Sequence, residues 1–235
     1  MNLIEHIFEP NHLFLVWKDP KGRSLRVIAK LERDNGGARL TYLVDTDDFK
    51  LAQKNGFMCY PAFPDINRTY TINVLEVFSK RIPPRQREDY NEFLAEIRLP
   101  ANAGVSDFAL LGYSEVRLPS DGYAIINPFD EVDSDCEFLS EIAGLRYYDK
   151  AINLLKNQQI KKGVSVAIMP DDDNQYDNNA VKVLFKDQTI GYVNRIQAKT
   201  IRRWLSTGKK VLAEVEKING SEDRPSVILF IKVRV

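Results

Sequence analysis

Between residues 163 and 235 the chain carries five short segments rich in β-branched and aromatic residues: "GVSVAIMP", "NAVKVLF", "TIGYV", "KVLAEVEKI" and "SVILFIKVRV". Segments of this length bury an apolar face only by pairing edge to edge. So many in so little chain predict a small closed barrel of OB-like or SH3-like type with one or two helices. Between the third and fourth strands, "NRIQAKTIRRWLSTG" has helical periodicity, with Ile196, Ile201, Trp204 and Leu205 expected to face the barrel. Arg195, Lys199 and Arg202 fall at i, i+4 and i+7 on another face. Such a stripe serves either as a solvated surface or as a track for phosphates.

The N-terminal part reads as α+β. "HLFLVWKDPKGRSLRVIAKLE" predicts two strands around a turn at Asp19-Pro20-Lys21-Gly22, and "GARLTYLV" a third strand. "TDDFKLAQKNG" predicts a short helix capped by Thr46, with acids in its first turn and Gly56 as its stop. In "PPRQREDYNEFLAEIRL", Tyr90, Phe93, Leu94 and Ile97 share one helix face, and the two prolines suit a helix entrance. "GFMCYPAFPDI" and "FSKRIPP" hold apolar and aromatic residues that look exposed, a candidate protein-contact surface. Pro128 and the acidic run in "INPFDEVDSDCE" interrupt the pattern. The expected division is therefore an interaction domain at 1–134 and the barrel at 135–235.

Charge follows the same division. Residues 1–136 hold 16 Lys+Arg against 21 Asp+Glu, and residues 137–235 hold 17 against 12, so a net of −5 faces a net of +5. A basic C-terminal part suggests an anionic partner. Apolar runs such as "HLFLVW" are strand-sized, too short to cross a bilayer, and the first residues lack the pattern of a secretory leader. Cys59 and Cys136 lie far apart without CxxC spacing. Reduced thiols and a cytoplasmic setting, with no membrane partner, are the expectation.

The motif richest in chemistry is split. "GLRYYDKAIN" places Arg146 beside Tyr147 and Tyr148, and "MPDDDNQYDNNAVKV" follows some twenty residues later. An exposed tyrosine offers a face on which a base stacks, and the Arg146 guanidinium offers a fork for phosphate oxygens. Asn174 and Asp177 offer polar groups for a base edge or a terminal hydroxyl. A plainer reading stands beside each: the tyrosines pack in the core, and Asp177 caps its own turn. The acidic stretch is not a calcium loop, since Tyr176 occupies the position that needs Gly and Lys182 the position that needs Glu. His6 and His12, with no cysteine cluster, argue against zinc and against a Ser-His-Asp or Cys-His site. No cofactor and no catalysis are expected.

These residues resemble the HIRAN domain over roughly 138–235. The likeness is carried by Gly144-Leu145-Arg146-Tyr147-Tyr148, by "MPDDDNQYDNNAVKV", by "TIGYV" with its Gly-aromatic pair, and by the helix containing Ala198. The resemblance implies binding of DNA, as a single strand or a 3′ end, in a pocket on the barrel. It makes Arg146 the phosphate clamp and Tyr147 the stacking platform. Asn174, Tyr176 and Asp177 become the end-recognition turn, while Tyr192, Arg195, Lys199 and Arg202 line the groove beyond. Asp173 and Gln175 stand where eukaryotic end-binders have an amide and a proline, and Tyr192 where they have a histidine; duplex DNA is the alternative ligand.

Residues 12–129 resemble, in order and spacing, the N-terminal subdomain of HipA-type toxin kinases. "LFLVW", "FMCYPAFPDINRTYT", "VFSKRIPPRQREDYNEFL" and "DFALLGYSEVRLPSDGYAIINPF" carry that likeness, and no glycine-rich phosphate loop accompanies it. The resemblance implies a protein-contact module. The combined expectation is a non-catalytic bacterial DNA-binding accessory that assists a partner nuclease or helicase in DNA processing or defence, such as a CRISPR or restriction effector. The alternative is a toxin–antitoxin regulatory subunit that binds a HipA-type kinase or a repressor. A homodimer is compatible with either.

Overall fold

The computed structural model describes residues 2–20, 24–118, 121–222 and 224–235. Two compact units divide the chain. One comprises Phe8–Ile97 and Ala101–Pro128; the other comprises Phe129–Val235 together with residues 2–7 and Arg98–Pro100. The transition at Pro128 falls a few residues before the expected boundary at 134, and two short N-terminal pieces count with the C-terminal unit.

In the N-terminal unit, β1 (His12–Lys18), β2 (Leu25–Asp34), β3 (Gly37–Tyr42) and β4 (Tyr123–Ile126) form an antiparallel sheet in the order β3-β2-β1-β4. Lys21 and Gly22 of the expected β1–β2 turn lie outside the described residues. Alternation puts Leu13 and Leu15 of β1 and Ala38, Leu40 and Tyr42 of β3 into the core. Helix α1 (Asp47–Lys54) starts where expected, the Thr46 hydroxyl accepting from the Phe49 N–H. Helix α2 (Val74–Ser79) had no clear sequence signal.

Helix α3 covers only Tyr90–Glu96, with Tyr90 and Leu94 buried. Pro83 and Pro84 lie in the turns ahead of it rather than at its entrance. Helix α4 (Asp107–Ser114) is capped by Ser106 and buried on every side from Phe108 to Tyr113, so it shows no amphipathic period. The aromatic stretch that looked exposed in sequence is mostly core: Phe57, Phe63 and Phe78 are buried around Tyr42. The Tyr42 hydroxyl donates to the Phe63 carbonyl at 2.7 Å and accepts from the Tyr60 N–H at 2.8 Å. Met58, 80% exposed, is the exception.

The C-terminal unit is built on β5 (Cys136–Glu141), β6 (Ser165–Pro170), β7 (Val181–Phe185), β8 (Gln188–Tyr192), β9 (Lys210–Ser221) and β10 (Arg224–Arg234). They make one antiparallel sheet, β5-β10-β9-β6-β7-β8. Strand β5 is a sixth strand that the acidic run before it hid from sequence reading. The two end strands are joined by one residue pair, Ala143 with Tyr192, exchanging hydrogen bonds of 2.7 and 2.9 Å. That single bridge replaces the ladder a closed barrel would have, so the expected closed barrel is not formed. It requires Gly191: at φ +151°, a Cβ there would lie 2.4 Å from Ile142 Cγ2 and 2.7 Å from the Ala143 carbonyl oxygen. The β7–β8 hairpin turns through Lys186 and Asp187, both left-handed, as a two-residue loop requires.

Helix α5 (Asp149–Lys156) follows a 3-10 turn at Leu145–Tyr147, and helix α6 (Arg195–Ser206) follows β8. The inward face of α6 is Gln197, Ala198, Thr200, Ile201 and Trp204. Ile196 and Leu205, expected inward, are half-exposed. Gln197 is tolerated inside because Ser140 of β5 donates to its side-chain oxygen at 2.7 Å. Trp204 Nε1 donates to the Val132 carbonyl at 3.1 Å.

Two buried carboxylates, each 1% exposed, fasten the short N-terminal pieces. Glu137 of β5 accepts from the Glu5 and His6 N–H groups at 3.0 and 2.9 Å, from His6 Nδ1 at 3.0 Å and from Arg234 at 2.5 Å. Glu216 of β9 accepts from Arg98 at 2.5 Å, Asn2 at 2.8 Å and Lys162 at 3.2 Å. Burial pushes both carboxyls upward, but these donors outweigh it and hold both below the ordinary value of 4.5. Glu5, His6 and Glu137 are the one metal-capable cluster among the described residues, and a guanidinium and two N–H groups already face that carboxylate. The arrangement is an anion clamp. Cys59 and Cys136 are both free thiols, the latter pushed up to about 12 by burial.

Gly191→Ala is expected to cost about 2–3 kcal/mol in urea unfolding, because the new methyl overlaps both the Ile142 side chain and backbone. Arg98→Ala is expected to cost about 3 kcal/mol at neutral pH, since it strips a charge partner from buried Glu216. A carboxylate with a lowered native pKa stabilises the fold above its unfolded value and loses that contribution as pH falls through the native one. The Arg98→Ala penalty should therefore shrink between pH 7 and about pH 3, measured by the same unfolding curves.

Candidate nucleic-acid site

Tyr192, at the end of β8, is where two segments meet. Its backbone pairs with Ala143, immediately before Gly144 opens the 3-10 turn in a left-handed conformation. Its ring lies 6.4 Å from that of Tyr148. Its hydroxyl donates to Asp171 Oδ2 at 2.8 Å, at the start of the acidic turn. Burial first, then the Tyr148 hydrogen bond and the Asp171 carboxylate, raise its phenol pKa well above the usual range. The motif that the sequence splits by some twenty residues is thus continuous in space.

On the first segment, Leu145 is buried and pins the turn, which leaves Arg146 and Tyr147 outside. Tyr147 is 72% exposed, and the Arg146 guanidinium stacks 4.7 Å over its ring centroid while donating to its hydroxyl. A flat ring with a cation on it suits a base and its phosphate. Of the two tyrosines, Tyr147 is the exposed one, and Tyr148 is half-buried beside Tyr192.

The second segment is self-bracing. Asn174 Oδ1 accepts from the Tyr176 and Asp177 N–H groups, both at 3.0 Å, and its amide donates to Asp171 at 3.1 Å. Asp177 Oδ1 accepts from the Asn179 N–H at 2.8 Å, an Asx turn. Asn174 and Asp177 therefore first shape the loop, and Tyr176 stands at its tip 98% exposed.

Three consecutive aspartates would repel DNA if all were bare. Asp171, only 8% exposed, takes Lys182 at 2.9 Å, and Asp172 pairs with Arg202 of α6. The Lys182 contact first, then Asn174 and Tyr192 against a small burial penalty, holds the Asp171 carboxyl below its ordinary value. Asp173 remains on the surface. Along α6, Arg195 and Lys199 are exposed, whereas half-buried Arg202 is turned to Asp172 and to the Ala180 carbonyl at 3.3 Å. The expected basic stripe is thus exposed at its first two positions and engaged at the third. Sequence reading missed Asp171 and Lys182 as parts of the site; the clue was an acid and a lysine eleven residues apart, flanking a turn.

Residues 136–234 match the family model of the HIRAN domain. The C-terminal unit carries a HIRAN domain. Two solved structures are similar to the chain. A crystal structure of a protein from Lactobacillus plantarum is 21% identical, covering 43% of this chain and all of that one, with a TM-score of 0.35. The HIRAN domain of human HLTF is 20% identical, covering 41% of this chain and 74% of that one, with a TM-score of 0.31. Comparison with curated proteins returned no match. The HIRAN match begins after the N-terminal unit ends, so the likeness of residues 12–129 to HipA-type kinases stands on sequence order alone.

Asn174→Ala removes two acceptor bonds and one donor bond from the turn. The expected result is faster amide hydrogen exchange at Tyr176 and Asp177 with little change in global stability, read by exchange mass spectrometry or NMR.

Proposed function

We infer that this protein is a DNA-binding accessory whose HIRAN domain takes single-stranded DNA, at a 3′ end or along the strand, across the surface around Tyr192. The observation that carries this reading is the pair of exposed tyrosines, Tyr147 with Arg146 on its ring and Tyr176 at the loop tip, on the two segments that Tyr192 joins. Every base presents a π-face to stack on, worth about 1–3 kcal/mol each, and two exposed rings offer such faces. Arg146 reads a phosphate beside the first ring, and Arg195 and Lys199 continue the cationic path. Asn174 and Asp177 act through the loop they shape as much as by direct contact. The N-terminal unit serves as the protein-contact module for a catalytic partner, a nuclease or a helicase, with Met58 and Ile72 among the exposed apolar residues it offers. The chain itself supplies binding rather than chemistry.

Fluorescence anisotropy with short oligonucleotides at several salt concentrations separates the roles. Tyr147→Ala should weaken single-strand binding with the salt slope nearly unchanged, because a stacking surface is lost. Arg146→Ala should weaken it and make the slope of log affinity against log salt shallower by roughly one unit or less. Parental affinity in both folded variants would remove the site from this surface. Binding of duplex alone, lost with Lys199 instead of Tyr147, would move it to α6.

A further inference from the structure

Asp171 is the best-connected side chain of the site, and neither the motif nor the family match gives it a role. It is a buried carboxylate with three donors on it: Lys182 at 2.9 Å from β7, the Tyr192 hydroxyl at 2.8 Å from β8, and the Asn174 amide at 3.1 Å from the loop. Each donor controls something different. Lys182 cancels its charge. Tyr192, held by its one O–H, keeps its ring against Tyr148 and offers any ligand only oxygen lone pairs and a ring. Asn174, with its amide committed to Asp171, must turn its oxygen to the Tyr176 and Asp177 N–H groups, which fixes the loop whose tip is Tyr176.

Taking the DNA reading above as its basis, we propose that Asp171 is the positioning residue of the nucleic-acid site. It sets the geometry of Tyr192 and, through Asn174, of Tyr176, without itself meeting the strand. A carboxylate accepts from all three donors at once. An amide in its place offers one oxygen and presents an NH2 group that neither the Lys182 ammonium nor the Asn174 NH2 can accept, and that the Tyr192 hydroxyl accepts only by turning its own O–H elsewhere. The expectation runs against simple electrostatics. Removing a negative charge beside an anionic ligand should tighten binding if Asp171 acted only through its charge, and should loosen it if Asp171 acts through geometry.

The test compares the parent chain with Asp171→Asn and Tyr192→Phe, singly and together, using a short fluorescent single-stranded DNA at several salt concentrations. Loss of a charged acceptor from a coupled network is expected to weaken binding about tenfold in Asp171→Asn, with the salt slope unchanged. Tyr192→Phe, which keeps the ring and removes only the hydroxyl, should weaken it in the same direction, and the double variant should fall short of the product of the two effects. Spectra of 13C-labelled tyrosine should show the Tyr176 and Tyr192 signals moving in Asp171→Asn while Tyr42 and Tyr113 stay in place. Binding as tight as the parent's or tighter in Asp171→Asn overturns the positioning role and leaves the DNA reading intact. A parent chain that ignores single-stranded DNA overturns both. If Asp171→Asn fails to fold, parental affinity in Tyr192→Phe overturns the proposal by itself.

Discussion

The close approach of β8 to the segment after β5 is the constraint on which the C-terminal unit turns. Six strands in a row would leave two raw edges, with Tyr192 at one and Ala143 near the other. A single pair of hydrogen bonds between those residues draws the ends together, and it forms only because residue 191 has no side chain. Everything chemically interesting lies within a few residues of that contact. The 3-10 turn bearing Arg146 and Tyr147 starts one residue beyond Ala143, and the Tyr192 hydroxyl reaches the acidic loop. The contact that brings the sheet's ends together also brings the two segments of the site together.

Electrostatics within the site is arranged by pairing rather than by a surplus of one sign. Lys182 and Arg202 are committed to Asp171 and Asp172, so two of the four aspartates between residues 171 and 177 are paired with a cation. The cations turned outward are Arg146 beside its tyrosine and Arg195 and Lys199 on α6.

Sequence made β1–β3, β6–β10, α1 and the position of α6 legible, because periodicity and capping are local, but not β4. It placed Ile201 and Trp204 of α6 inward, where they are, but missed Gln197 and Thr200, which look solvent-facing until Ser140 is known to sit opposite Gln197. It overlooked α4, whose residues are apolar all round, and β5, whose start is masked by acids. Arg146, Tyr147 and the Asn174 loop were recognisable as a set. What joins them was not, because the Asp171 bonds to Lys182 and Tyr192 and the Ala143–Tyr192 pair link residues far apart along the chain. Glu137 and Glu216 were invisible for the same reason: nothing in a strand's pattern announces a carboxylate that waits for residues 2–6 or for Arg98.

That last arrangement has a consequence for how the molecule comes into being. Residues 2–7 are made more than a hundred residues before their acceptors on β5 and β9. Synthesis and folding proceed domain by domain, so the whole of Phe8–Pro128 has time to settle while the leading residues wait without partners. Residues 2–7 are then placed only after strands made long after them. A nascent protein interrupted before β9 would carry the N-terminal unit while Asn2 and Arg98 still lack the Glu216 carboxylate.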